Sequence, residues 1–272
     1  MSSVCILTDS TAQFTRPNFP GHDLVYVIPC EIQPLTQFEG RRLALPSATR
    51  CLVPPTPAEF LKFYGQLSRQ YASILVVTLS AALNPTLLAA QEAAVQYNNH
   101  TSVQVVDSQT TAVGLGLLVE SAAEAAAQGA SFQEIERWVR AAIARIYMLF
   151  CIPELTFLSG SGYLNYSQAL VGEMMGLLPI FSLEEGSLTP MEKVRTQRHL
   201  FESFQEFLDE FEDPAHIALM HSAGHPILRT RPLRQYVLES FPQTPFSEHP
   251  INPYVAALFG PQSIGLVIME NA

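Results

Sequence analysis

The sequence predicts a two-lobed α/β protein, with a parallel sheet and flanking helices in the N-terminal lobe and a mixed α/β C-terminal lobe. Three observations predict it. The chain has 272 residues, long for one compact core, and a working boundary divides it into residues 1–155 and 156–272. Its first half alternates short β-branched runs with helix-length segments, the pattern of βαβ units and a parallel sheet. Its second half is less regular and carries a hairpin signal at Glu184-Glu185-Gly186.

Four apolar runs, VCILT (4–8), LVYVI (24–28), ILVVTL (74–79) and VQVVD (103–107), are bounded by turn residues and read as buried strands. Between them, residues 57–71 place Phe60, Tyr64, Leu67 and Tyr71 on one helical face, and the alanine-rich stretch 85–97 is a second helix. Residues 111–128 are apolar nearly all round, so this helix is expected to be covered on more than one side. Ser131 and Glu134 form a capping box for the next helix, with Phe132, Ile135, Trp138, Val139, Ala142 and Ile146 as its buried stripe. In the second half, YMLFCIP (147–153) reads as a strand, and LLPIFSL and SLTPMEKV as the arms of the hairpin. Residues 196–211 form a helix with Leu200, Phe204, Phe207, Leu208 and Phe211 inward and acidic residues outward. HIALMHS (216–222) and SIGLVIM (263–269) are strands, and the proline-rich FPQTPFSEHPINP (241–253) reads as a connection.

Composition removes several function classes. Hydrophobic residues make up 48% and charged residues 15%, and the net charge is −10. Fifteen scattered Lys and Arg against 25 acidic residues give no phosphate-tracking surface, so nucleic acid is not an expected partner. The longest apolar stretch, 110–127, is interrupted by glycines and by Glu120 and Glu124, which reads as a buried helix without integral membrane association. The opening MSSVCILTDSTAQF has no basic segment ahead of an apolar one, so a cytoplasmic protein is expected. Cys5, Cys30, Cys51 and Cys151 are widely spaced and read as free thiols, with no zinc site.

In an open α/β sheet, ligands bind beyond the carboxyl ends of the strands. Three such ends here are polar: 8–11 with Asp9 and Ser10, 80–86 with Ser80, Asn84 and Thr86, and 107–110 with Asp107. Asp9 and Asp107 read equally well as groups that cap helices and satisfy turn amides. Asn84-Pro85 reads as an N-cap followed by proline at N1, an end that also presents free amides to an anion. The chain has no P-loop, no GxGxxG after its first strand, no HExxH and no GxSxG elbow. His221 and His225 in MHSAGHP have no carboxylate beside them and read as loop or core histidines.

Several segments resemble the DegV family. ILTDSTAQF resembles that family's opening strand followed by T-D-S-T/S-A. The stretch VQVVDSQTTAVGLGLLVESAAEAAAQGASFQEI is similar to its V-x-V-I-D-S, G-L-G and G-x-S-x-x-E-I series. LLPIFSLEEGSLTPMEKVRT is similar to its hairpin ending in K-x-R-T. The resemblance covers essentially the whole chain in order. It implies a non-catalytic carrier without cofactor or metal, holding a long-chain fatty acid or related acyl lipid between two lobes and presenting its carboxylate to a partner acyl kinase.

The head-group motifs depart from the family pattern. Leu52 and Val53 stand where T-S-Q-P-S/T-P begins, and Leu83-Asn84-Pro85-Thr86 replaces L-S-G-T. Gly162-Tyr163-Leu164 loses the arginine of G-R-I, and Leu258-Phe259-Gly260-Pro261-Gln262 loses the histidine of H-T-G-P-G. Thr56, Thr86, Gly260 and Pro261 persist. The residues expected to bind lipid are thus Asp9, Ser10, Thr56, Ser80, Asn84, Thr86, Tyr163 and Gly260; Asn84 and helix amides substitute for the lost donors, with Tyr163 as a phenolic donor. Lys193 and Arg195 keep the K-x-R pattern and are the expected docking contacts for a kinase, or else plain surface charges. Two further readings stay open: a ligand-free structural or partner-binding relative, and a phosphotransferase-like enzyme.

Overall fold

The computed structural model describes residues 4–34, 37–38, 41–42, 50–98, 100–160, 163–222 and 229–271. Gly162 and His225 lie outside them. The chain opens with β1 (Val4–Asp9), buried along its whole length, then a 3-10 turn (His22–Leu24) and β2 (Val25–Ile28). Short strands β3 (Glu31–Pro34), β4 (Gln37–Phe38), β5 (Arg41–Arg42) and β6 (Arg50–Val53) follow, β3 pairing with β6 and β4 with β5. Next come α1 (Pro57–Leu67), β7 (Ser73–Thr78), α2 (Thr86–Gln96), β8 (Ser102–Asp107), α3 (Ala112–Ala127) and α4 (Phe132–Ile143). The remainder comprises β9 (Ile146–Cys151), α5 (Thr156–Gly160), α6 (Tyr166–Met174), β10 (Leu178–Glu184), β11 (Ser187–Val194), α7 (Gln197–Leu208), β12 (Pro214–His221), α8 (Arg231–Ser240), β13 (Phe246–Pro250), α9 (Pro253–Phe259) and β14 (Ile264–Glu270).

These elements form two compact units. The first takes the described residues within Met1–Glu31, Val53–Ala144 and Glu185–Ser187; the second takes those within Ile32–Leu52, Arg145–Glu184 and Leu188–Ala272. The first unit carries an all-parallel sheet in the order β2-β1-β7-β8. On one of its faces Cys5, Leu7, Ile74 and Val76 pack against Phe60, Tyr64 and Leu67 of α1 and Ala90 and Ala93 of α2. Helix α3 packs against β1, β7 and α4. The continuous apolar sequence of α3 is thereby explained: it is buried nearly all round, from Ala112 to Ala126. Its Gly116 is obligatory, because a Cβ there would lie 1.9 Å from the Gln13 carbonyl oxygen. Capping boxes start α1 (Thr56 with Glu59) and α4 (Ser131 with Glu134), the latter as its sequence predicts.

The second unit is a mixed six-stranded sheet ordered β11-β10-β9-β14-β12-β13. Strands β10, β14 and β12 run antiparallel to their neighbours β9, β9 and β14, whereas β13 runs parallel to β12. Leu200, Phe201, Phe204 and Leu208 of α7 cover one face, together with Leu233 and Val237 of α8. The β10–β11 hairpin turns at Glu185 and Gly186, both at positive φ (48° and 82°), the geometry of a two-residue primed turn.

Two sequence expectations are corrected. The stretch 241–253 is more than a connection: it contains β13 and the start of α9. Its prolines conceal the strand, and they are tolerated because β13 is a sheet edge. Asn84 is not the N-cap of α2. The cap falls one residue later, on Pro85, whose carbonyl accepts from the Leu88 amide at 3.1 Å.

Candidate functional site

The first-unit strand order reverses between β1 and β7, since β2 lies on one side of β1 and the later strands on the other. Ligand sites of open parallel sheets lie at the carboxyl ends of the strands beside such a reversal. Here Asp9 ends β1 and bridges to the end of β7. Its carboxylate accepts from the Leu79 amide at 2.7 Å, the Thr11 amide at 2.9 Å and the Thr11 hydroxyl at 2.6 Å. The residue is fully buried, and burial pushes its carboxyl above the ordinary range against the opposing pull of those bonds. Asp107, ending β8, reaches the same segment from the other side, accepting from the Ala81 amide at 3.3 Å and the Gln109 amide at 3.0 Å.

Ser80 is buried between them. Its hydroxyl donates to the Gly186 carbonyl at 2.7 Å and accepts from the Ala82 amide at 3.2 Å. Asn84 accepts from the Thr86 hydroxyl at 2.7 Å, so these two side chains brace the start of α2. At the start of that helix the Leu88 and Ala89 amides both reach the Pro85 carbonyl, at 3.1 and 3.4 Å. Ser10 accepts from the Cys30 amide at 2.9 Å. Cys30 is itself buried, its thiol pushed up to about 12 by desolvation and by the Asp9 charge, with hydrogen bonds from Ser10 and Thr86 opposing. The first unit therefore brings Asp9, Ser10, Ser80, Asn84 and Thr86 together. Thr56 instead caps α1. Its hydroxyl and amide both donate to the Glu59 carboxylate at 2.7 Å, which holds that carboxyl below its usual range.

In the second unit, Tyr163 is half-buried after α5, with its phenol raised by burial. Gly260 ends α9 at φ +87°, where a Cβ would lie 2.9 Å from Glu154 Oε2. That glutamate accepts from the Gln262 amide at 3.1 Å, and its carboxyl is raised by desolvation and by neighbouring Glu173. Lys193 and Arg195 are exposed on either side of buried Val194, the last residue of β11. Lys193 also lines a cavity of about 690 Å³ whose walls include Leu155, Leu164, Leu177, Phe181 and Met191. Gly172 of α6 lines it as well, where a Cβ would press on Leu155.

The sequence does not single out the residues that line this cavity, because its leucines and phenylalanine are indistinguishable from core residues. The one available signal was a glycine inside a helix, at Gly172, which marks a close approach. Among the described residues no three His, Cys, Asp or Glu side chains form a metal-binding group, and no helix is long and apolar enough to cross a membrane. The four cysteines are free.

Comparison with known proteins agrees with this architecture. A DegV domain-containing protein of Staphylococcus aureus strain COL is 26% identical over 221 residues, covering 80% of this chain and 77% of the relative. The fold is similar to a crystal structure of a fatty acid binding DegV family protein from Streptococcus agalactiae, with a TM-score of 0.83, 20% identity and complete coverage of both chains. It is likewise similar to the Streptococcus pneumoniae Fatty Acid Kinase (Fak) B3 protein loaded with linoleic acid, with a TM-score of 0.81, 19% identity, and coverage of 99% of this chain and 100% of that one. The family described as "Uncharacterised protein, DegV family" matches residues 47–271, and the chain belongs to the DegV family.

Proposed function

We propose that this protein is a non-catalytic carrier of a long-chain acyl lipid. The observation that supports the reading is the second-unit cavity. Its volume of about 690 Å³ falls within the range of roughly 300–1,000 Å³ common to small-molecule sites. Its walls are mostly aliphatic and aromatic, and each acyl methylene buried there contributes about 0.8 kcal/mol. Lys193 and Glu192 are the charged groups in that lining, and the Lys193 ammonium suits an acidic head. Asp9, Ser10, Thr56, Ser80, Asn84, Thr86, Tyr163 and Gly260 are the further positions assigned to lipid binding, by the family resemblance. Of these, Asp9 and Thr56 act through the backbone they hold, since their polar atoms are committed to protein groups. Presentation to an acyl-kinase partner is assigned to Lys193 and Arg195, and charge reversal at Arg195, which is not among the residues lining the cavity, is expected to weaken partner binding without changing lipid content.

Organic extraction of purified protein followed by mass spectrometry tests the carrier reading. One acyl chain per protein is expected. Protein free of lipid, with a melting temperature unmoved by added fatty acids, would count against it.

One observation favours a second reading, a partner-binding relative without ligand. The carboxylates of Asp9 and Asp107 and the hydroxyl of Ser80 are bonded to neighbouring protein groups, which closes the strand ends where open α/β sheets hold their ligands. Lipid-free protein that still binds a kinase would select this second reading.

A further inference from the structure

Helix α6 carries a glycine in its buried stripe, at Gly172 beside Ala169. Glycine is the poorest helix former apart from proline, so its place inside a helix calls for a reason. The reason is Leu155. A Cβ at position 172 would lie 2.5 Å from Leu155 Cδ1. Among the described residues outside α6, only the Leu155 side chain comes within 4 Å of that point.

The backbone beside Leu155 is fixed from two sides. The Thr156 amide donates to the Glu173 carboxylate at 2.7 Å, which ties the start of α5 to α6 one residue beyond the Leu155–Gly172 pair. The Gln262 amide donates to the Glu154 carboxylate at 3.1 Å. Gly260, at the end of α9, packs so closely that a Cβ there would lie 3.1 Å from Phe157 Cδ2. Held in this way, the segment 154–157 cannot retreat from α6. Extra bulk at 172 is therefore absorbed by turning the Leu155 side chain, the one flexible group in the contact. Leu155 and Gly172 both line the cavity, which is the unfilled space open to that turn.

We propose that Gly172 is a specificity-determining position for the acyl chain: it lets Leu155 lie back against α6 and keeps the cavity deep enough to favour long chains over short ones. The proposal rests on the carrier reading and deepens it. Each further methylene contributes to affinity only while apolar wall remains to cover it, so the depth left by Leu155 sets where the gain from chain length stops.

The test is displacement of a fluorescent fatty acid from the full chain by dodecanoic acid and by octadecanoic acid, read as the ratio of the two affinities. Gly172→Ala is expected to lower the preference for octadecanoic acid about tenfold. Alanine is the better helix former, so this variant keeps its fold. Leu155→Ala alone is expected to move the preference the other way, by at least about threefold. The Gly172→Ala/Leu155→Ala double variant removes the clash and is expected to return the preference to within about twofold of the unsubstituted chain, a recovery that a merely structural glycine would not show. Binding of both acids by the unsubstituted chain, with a preference that Gly172→Ala leaves unmoved or that the double variant fails to restore, would overturn this proposal alone. Failure of both acids to displace the probe from the unsubstituted chain would overturn the carrier reading and this proposal with it.

Discussion

In the first unit the carboxyl ends of the strands are closed by polar side chains bonded to neighbouring backbone, whereas in the second a cavity of about 690 Å³ is lined mainly by apolar side chains. The first arrangement gains rigidity, since a buried carboxylate with three donors fixes the turn it touches. The second keeps apolar surface unpacked, which costs dispersion contacts and leaves room for a ligand. Stability and capacity are thus placed in different parts of the chain, and a substitution should read out one or the other.

The contrast can be probed from the largest effect downwards. Phe204→Ala, in the well-packed face of the second unit, is expected to cost about 3–5 kcal/mol by urea denaturation, which separates that face from the cavity. A cost below about 1 kcal/mol would mean that the whole unit is loosely packed. Asp9→Ala leaves the Leu79 and Thr11 amides without their acceptor, and a loss of about 2–4 kcal/mol is expected. The matching change in the second unit, Lys193→Ala, is expected to alter stability by less than about 0.5 kcal/mol. Leu164→Trp fills the cavity; acyl-chain affinity measured by fluorescent fatty-acid displacement is expected to fall about tenfold, equivalent to about 1.4 kcal/mol, at nearly constant melting temperature. Thr56→Ala removes a cap and is expected to cost about 1 kcal/mol.

The smallest effect is one of pH. The folded-state carboxyl of Glu154 is raised above its ordinary 4.5, so the folded protein holds this proton more tightly than the unfolded chain. Its contribution is present in full below pH 4.5 and is lost as pH rises through the raised value. Glu154→Gln is expected to flatten that part of the stability–pH profile. A profile with the opposite slope would show that the Gln262 bond outweighs desolvation.

Local chemistry explains what the sequence could disclose. The parallel strands and both sides of the hairpin were legible because β-branched runs and an EG turn are short-range signals. The capping box at Ser131 was legible for the same reason. Strand β13 was not, since Pro245 and Pro250 contradict strand propensity and only the neighbouring β12 supplies the pairing. At the site, the sequence pointed to the strand ends but could not show that Asp9 bonds Leu79, a partner 70 residues away. The cavity was the least visible, because a void is a property of packing and no residue type encodes it.

The two outermost strands of the six-stranded sheet, β11 and β13, each contain proline: Pro190 within β11 and Pro250 at the end of β13. A proline offers no amide hydrogen, so each border lacks a rung for a foreign strand to dock. Newly made chains crowded together would find little template there for intermolecular ladder growth, and fibril formation from the native state is disfavoured at both margins.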